Sequence, residues 1–391
     1  MILTLVLTQK QAYADTTYPL ANDAAVRQAM DRFYNLDYDG AQQRFETILK
    51  AHPNDPMVLG LLLTVVEFRE LYNQDLLDTT YYARENFLSS NRKVQINPAV
   101  RQRIEALTNS VINICDKRID NNKRDKDCYF ARSYAKGIHA AFMTLADHSF
   151  AGAAKQGLQS RSDAEDALKI DPNYTDAKMA VGIQQFAVAS LPRWLRFIVG
   201  IVGVGGSKEK GLALLRDCSE HCTLTKVESM TAMSLFLRHD GRYNDAIVVS
   251  KRLAAMYPHN YLYRLEVANL TKDAGHGPQA IAEYRAVLAD ANKHGYFIDP
   301  RLALAHFGLA ETERGQNDIQ SALNDYLAAA KQPNCSDWMR KRAQLNAGMM
   351  FDLLHKRNEA ITQYRLAAAP GGDQSQADDA RKYIRKSYTG H

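Results

Sequence analysis

The sequence predicts an all-α fold: an α-solenoid of antiparallel helix pairs wound as a right-handed superhelix and closed by a C-terminal capping helix. Three observations predict it. Apolar residues recur at helical spacing along most of the 391 residues. A small-aromatic-small pattern returns at intervals of 34 residues or slightly more. Gly and Pro number 21 and 11, too few for a collagen-like or low-complexity chain. With 46% hydrophobic and 24% charged residues the chain can bury a large core. No stretch approaches the ~18 to 20 apolar residues that a membrane-spanning helix requires.

The repeat is clearest in the C-terminal half. Ala246, Ser250 and Leu253 are matched 34 residues on by Ala280, Tyr284 and Val287, and Gly241 is matched by Gly275 at the same interval. Ala322, Tyr326, Ala329 and then Ala360, Tyr364, Ala367 continue the pattern at intervals of 42 and 38. A period of 34 residues is that of the tetratricopeptide repeat. The residue types fit its packing. A small side chain lets the two helices of a pair approach, the ring four positions later fills the wedge toward the next pair, and Pro258 or Pro333 stops the unit. Each first helix carries its own small residue, Ala268, Ala310 or Gly348.

The N-terminal half carries the pattern more loosely. Asp39–Pro53 reads as a second helix through Ala41, Phe45 and Ile48, and another ends at Ala167 and Pro172. Between them, longer helices are expected over about 57–75, 99–119 and 128–155 from apolar periodicity. Gln376–Ser387 reads as the cap, with Ala377, Ala380, Tyr383 and Ile384 inward and Arg381, Lys382, Arg385 and Lys386 outward. The expected division is therefore 1–14, a signal-peptide remnant; 15–215, an irregular helical half; and 216–391, regular repeats with their cap.

The first segment rests on the apolar run Met1–Thr8 and on Ala12-Tyr13-Ala14 before Asp15, an Ala-x-Ala cleavage site. A positively charged leader is missing, which places the true start upstream. The expectation is export, to the periplasm or the cell envelope, with cleavage between Ala14 and Asp15. In such a compartment cysteines pair. Cys115 and Cys128 flank the polar stretch Asp116–Asp127, read as a loop that a disulfide would staple. Cys218 and Cys222 can pair where the backbone leaves helical geometry. His221 between them raises a metal reading, which fails because no second Cys/His pair follows at zinc spacing.

The net charge of +5 resides in residues 339–391, where ten basic residues face five acidic ones. A basic end of this kind is first a solvated cap, and second a contact for acidic partners. It lacks the aromatic interleaving of a nucleic-acid surface, so nucleic acid is not expected. Catalysis is not expected either. The chain has no Gly-x-Ser-x-Gly, no Walker loop and no His-Glu-x-x-His, and Gly200–Gly206 follows a helix where a dinucleotide loop would follow a strand. No cofactor and no metal is implied.

Several segments together resemble a known family. They are Leu168–Tyr174, Gly182–Phe186, Leu191–Trp194, Gly205–Leu212 and Gly348–Ala360. The chain is similar to exported bacterial tetratricopeptide-repeat proteins distantly related to the tetratricopeptide repeat protein 39 and inclusion-body clearance protein family. The likeness spans about 128–388. It departs from the family at Gly206-Ser207-Lys208, where relatives carry Gly-Asp-Arg. The resemblance implies the repeat fold, no reaction, and a faint link to lipid.

Two function classes follow. The first is a non-catalytic scaffold that binds a protein partner in the groove lined by the first helices, or at the basic end. The carboxylate clamp of the best-known groove is absent, since Thr231/Leu235 and Leu265/Asn269 stand at its positions. Arg238, Asn269, Lys272, Glu311 and Arg314 are expected to line the groove, with Arg381 and Arg385 at the basic end. The alternative is a lipid-contacting envelope protein using Leu191–Val204, where Trp194 and Phe197 with Arg193 and Arg196 suit an interface. The competing reading of that stretch is a helix buried in the core.

Overall fold

The computed structural model describes residues 17–82, 94–191, 203, 205–371 and 374–390, with the side chains of all of these except 81 and 82. Every regular element among the described residues is helical. The chain forms two compact units. One comprises the residues up to Leu71 with Ile96–Phe236, and the other Tyr72–Gln95 with Leu237–His391.

In the first unit α1 (Ala24–Tyr34) pairs with α2 (Tyr38–Ala51). Asp23 and Asp37 cap their starts by accepting backbone N–H groups. The apolar α3 (Pro56–Asn73) follows, and then α5 (Pro98–Asn121), α6 (Lys126–Leu145), α7 (Phe150–Ile170), α8 (Lys178–Ser190), α9 (Lys208–His221) and α10 (Lys226–His239). The short α4 (Thr79–Tyr82) belongs to the second unit. From α5 to α9 each helix packs on the next. The crossing of α8 and α9 depends on glycine. A Cβ on Gly211 would stand 2.8 Å from the Gly182 carbonyl, and one on Gly182 3.1 Å from the Gly211 carbonyl, so the two backbones touch directly. These are two of the glycines on which the family resemblance rests. Asp176, buried after α7, accepts the N–H groups of Thr223, Leu224 and Thr225 at 3.1, 2.8 and 3.0 Å and so closes the start of α10.

Two expectations fail here for local reasons. The helix expected over 128–155 is interrupted: α6 ends at Leu145, His148 takes φ +51°, and α7 starts at Phe150. Alanine-rich periodicity on both sides hid the break. The polar stretch 116–127 is mostly helix, because α5 runs to Asn121 and leaves a short turn that Asp125 caps through the Cys128 N–H. The expected Cys115–Cys128 staple is therefore corrected. Both are buried free thiols on the facing helices α5 and α6. Cys218 and Cys222 are joined by a disulfide with Cα atoms 4.7 Å apart. The departure that this spacing needs is present, since α9 ends at His221 and Cys222 is extended at φ −75°, ψ 150°. Alkylation of the denatured, unreduced protein should therefore modify three of its five cysteines, Cys115, Cys128 and Cys335. Intact-mass analysis before and after reduction checks this.

The second unit holds α11 (Tyr243–Met256), α12 (Tyr261–Asp273), α13 (Gly277–Ala291), α14 (Leu302–Gly315), α15 (Ile319–Lys331), α16 (Asp337–Leu353), α17 (Arg357–Ala367) and α18 (Gln374–Arg385). Each packs on its successor, while α12 also meets α14 and α14 meets α16. First helices thus line up beside first helices, as in stacked helical hairpins. The hairpin turns share one geometry. Gly241, Gly275, Asn317 and His355 take φ of +71°, +83°, +61° and +61°. The residue after each donates its N–H back over the helix end, Arg242 to Leu237, His276 to Thr271, Asp318 to Glu313 and Lys356 to Phe351, at 2.8 to 3.1 Å. A histidine in this conformation is strained where glycine is not. His355 is exposed. His355→Gly is expected to raise stability by about 1 kcal/mol, measured by urea denaturation.

The tyrosines of the second helices hold the pairs together. Tyr284, Tyr326 and Tyr364 are fully buried. A Cβ on Gly308 would lie 2.6 Å from the Tyr284 ring, and one on Gly348 2.5 Å from the Tyr364 ring, so the rings occupy the space that small residues vacate. Their hydroxyls donate to polar side chains on the first helices: Tyr284 to Asn269 at 2.6 Å, Tyr326 to Glu311, and Tyr364 to Asp352 at 2.9 Å. At the C-terminus α18 buries Ala377 and Ala380, half-buries Tyr383 and Ile384, and exposes Arg381, Lys382, Arg385 and Lys386.

Candidate functional site

The second unit presents a polar face built around Arg238, in the last turn of α10, whose residues from Leu237 on belong to this unit. Its guanidinium is buried and donates to Asp273 at 2.9 Å, to Glu266 at 3.3 Å and to the Thr79 hydroxyl. Such a cation is stabilised only because its donors are satisfied. Asn269, one turn along α12 from Glu266, accepts the Tyr284 hydroxyl and donates to Asp78 at 3.4 Å. Lys272 is half-buried, with Asp273 at 4.0 Å as its closest ion pair among the described residues. Burial holds its ammonium below the ordinary lysine range, opposed by Asp273 and Glu311.

Sequence reasoning missed the other half of this face. Thr79 and Asp78 come from the stretch that follows α3, which is packed into this unit. Asp75 takes φ +54° and is fully buried, pairs with the buried Arg301, and accepts the Ser336 N–H at 3.0 Å. Arg301 also donates to the Asn73 carbonyl at 3.0 Å and lies over the Tyr72 ring, while the Tyr72 hydroxyl donates to the Asp299 carbonyl at 2.6 Å. Leu76 is fully buried between these anchors. Residues Leu76–Asp78 have no regular structure. The signal in the sequence was Asp75-Leu-Leu-Asp78-Thr79, two carboxylates three apart where helical periodicity stops.

The remaining expected residues fall elsewhere. Glu311 accepts the Tyr326 hydroxyl and lies 3.9 Å from Arg314, which donates to Asn346 at 3.3 Å and to the Tyr388 hydroxyl at 3.0 Å. Arg381 pairs with Asp378 on its own helix at 2.7 Å, and Arg385 is exposed. Much of the basic end is structural. Arg340 donates to the carbonyls of Ala330, Gln332 and Cys335, Lys341 to those of Ala369, Pro370 and Gly371, and Arg357 to those of Tyr383 and Ile384. These cations close the carbonyl ends of helices. Trp194 and Phe197 lie outside the described residues, as does the Ala14/Asp15 site. Among the described residues no helix is long and apolar enough to cross a membrane, and no three metal-ligating side chains converge. His221 is held by Asp217 at 2.9 Å.

The first unit buries a second polar group. Glu67 is fully buried and accepts from His139 Nδ1 at 2.7 Å. Tyr134 donates to Glu228 at 3.4 Å, and Thr64 donates to Tyr134 at 3.1 Å. Burial pushes the Glu228 carboxyl up to about 7. Folded Glu228 therefore holds a proton that the unfolded chain has released between about pH 4.5 and 7. Stability from this group is full below the lower value and falls as pH rises through the upper one. Glu228→Gln should flatten that decline, and the variant should gain on the wild type at pH 8 relative to pH 5, measured by denaturant midpoints at the two pH values.

An open polar depression in the first unit is lined by Arg118, Asn122, Arg124, Asp125, Lys126, Asp127, Ile170 and Asp171. Its charges pair locally, Arg118 with Asp125 at 3.0 Å and Lys126 with Asp171 at 2.8 Å.

Comparison with known proteins finds no matching family model and no matching curated protein. Among solved structures, the chain is similar to Pseudomonas aeruginosa PilF at 13% identity, covering 67% of this chain and 99% of that one, with a TM-score of 0.41. A tetratricopeptide repeat protein from Parabacteroides merdae matches at 11% identity, over 83% of this chain and 98% of that one, with a TM-score of 0.37. The human IFIT1 dimer with PPP-AAAA matches at 15% identity, over 85% and 68%, with a TM-score of 0.46. These scores are all below one half, so the helical-repeat fold rests on the chain's own helix pairs.

Proposed function

We propose that the chain is a non-catalytic protein–protein interaction scaffold of the cell envelope, binding its partner on the first-helix face of the second unit. One observation carries the reading: that face already holds another stretch of polypeptide, the irregular residues Asp75–Asp78 with the first residue of α4, through Arg238 on α10, Asn269 on α12 and Arg301 at the start of α14. Stacked helical hairpins offer such faces to extended peptides. The Ala12-Tyr13-Ala14 sequence before Asp15 supports export. Nucleic acid is not the proposed partner, because Arg340, Lys341 and Arg357 of the basic end are engaged with backbone carbonyls and the exposed cations of α18 have no exposed aromatic residue between them.

The test is in-cell crosslinking of the tagged chain, pull-down from detergent-treated envelope, and mass spectrometry of proteins and lipids together. The expected result is a dominant, salt-sensitive protein partner that is lost on Lys272→Glu and retained on Arg385→Glu. Lipid captured without protein overturns the reading in favour of the alternative centred on Trp194 and Phe197.

A further inference from the structure

The segment on the first-helix face has two parts with different grips. Asp75 and Leu76 are fully buried and anchored, through Asp75, by Arg301 and the Ser336 N–H. Asp78, Thr79 and Thr80 are only half-buried. Asp78 touches the face through one long hydrogen bond, 3.4 Å from Asn269, and its carboxylate also accepts the backbone N–H and hydroxyl of its own Thr80 at 3.0 and 2.7 Å. Thr79 reaches Arg238 and Glu266 through its hydroxyl. The face thus meets this limb with an amide, a guanidinium and a carboxylate, which read a carboxylate followed by a hydroxyl. Beside them lies Lys272, a half-buried cation whose nearest ion pair among the described residues is Asp273 at 4.0 Å.

We propose that this face is a receptor for short protein segments carrying an Asp-Thr or Asp-Ser pair at the start of a helical turn, and that the chain's own Asp78–Thr79 limb is an intramolecular competitor for it. The proposal rests on the scaffold reading and names the chemistry of its partner. A tethered competitor acts at an effective concentration on the order of millimolar. A partner segment must therefore displace it, and only the half-buried limb has to leave, its carboxylate held by one long hydrogen bond and its hydroxyl exchanged for the partner's, because Asp75 keeps the anchor in place.

The test uses the full chain and a fluorescein-labelled, acetylated peptide with the sequence of Leu76–Tyr81, read by fluorescence anisotropy. The double variant Asp78→Asn with Thr79→Val weakens the internal limb, and Asp78→Asn alone is the milder second variant should the first lose its helical circular dichroism. The expected result is peptide binding at least about tenfold tighter to the variant than to the wild type, and loss of that binding when the peptide's own Asp is replaced by Asn. Equal affinity for variant and wild type, no binding to either variant, or binding that ignores the Asp→Asn change in the peptide overturns the proposal. A protein partner captured by crosslinking elsewhere on the chain would leave the scaffold reading intact while this one failed.

Discussion

Arg301→Ala is expected to lower the stability of the second unit by about 3–5 kcal/mol, the cost of leaving one member of a buried ion pair behind. Arg301 and Asp75 are nearly or fully buried. Without the guanidinium, Asp75 retains the Ser336 N–H at 3.0 Å, the Asn73 carbonyl loses its donor, and a carboxylate stays in a site closed to water. Asp75→Ala should destabilise by a comparable amount through the stranded guanidinium. Replacing both by apolar residues of similar volume should cost much less than the two single changes together, since no charge then remains to be desolvated. Urea denaturation followed by circular dichroism measures all of these. A loss under about 1 kcal/mol for Arg301→Ala would place the pair among surface salt bridges.

The second large effect concerns the repeat itself. Tyr284→Ala is expected to cost about 3–5 kcal/mol, as large aromatic truncations in packed cores do. The ring lies against Gly308 and its hydroxyl donates to Asn269. Tyr284→Phe keeps the packing and removes one hydrogen bond, for about 1 kcal/mol. The ratio of the two losses separates packing from hydrogen bonding. If the phenylalanine variant lost as much as the alanine variant, the hydroxyl would be the main tie and the ring a filler.

The repeat was legible because its cause is local. A small residue and a ring at fixed spacing, as in Ala280 and Tyr284, fix where two helices cross, and that spacing survives in the sequence. Gly241 and Gly275 marked their turns in the same way. Asn317 and His355 hold the equivalent turns without announcing them, and the intervals of 42 and 38 reflect insertions outside those turns, above all the connection 292–301 between α13 and α14.

The site was legible by half. Helical periodicity brought Arg238, Asn269 and Lys272 to the first helices, and the structure brings these three together. Their partners Asp78 and Thr79 lie more than 150 residues away in sequence, on a stretch without period, and nothing local signals a long-range contact. The thiols of Cys115 and Cys128 show the converse error: a polar composition at 116–127 suggested a loop, but charged residues sit equally well on the exposed side of α5.

The most direct measurement of the central claim, that the first-helix face grips the Asp75–Thr79 segment, is a double-mutant cycle between Asp75 and Arg301 by urea denaturation. The two changes are predicted to couple by about 1–3 kcal/mol. A coupling within about 0.3 kcal/mol of zero, the additivity of independent sites, would mean that the segment is not held by this face and would contradict the account.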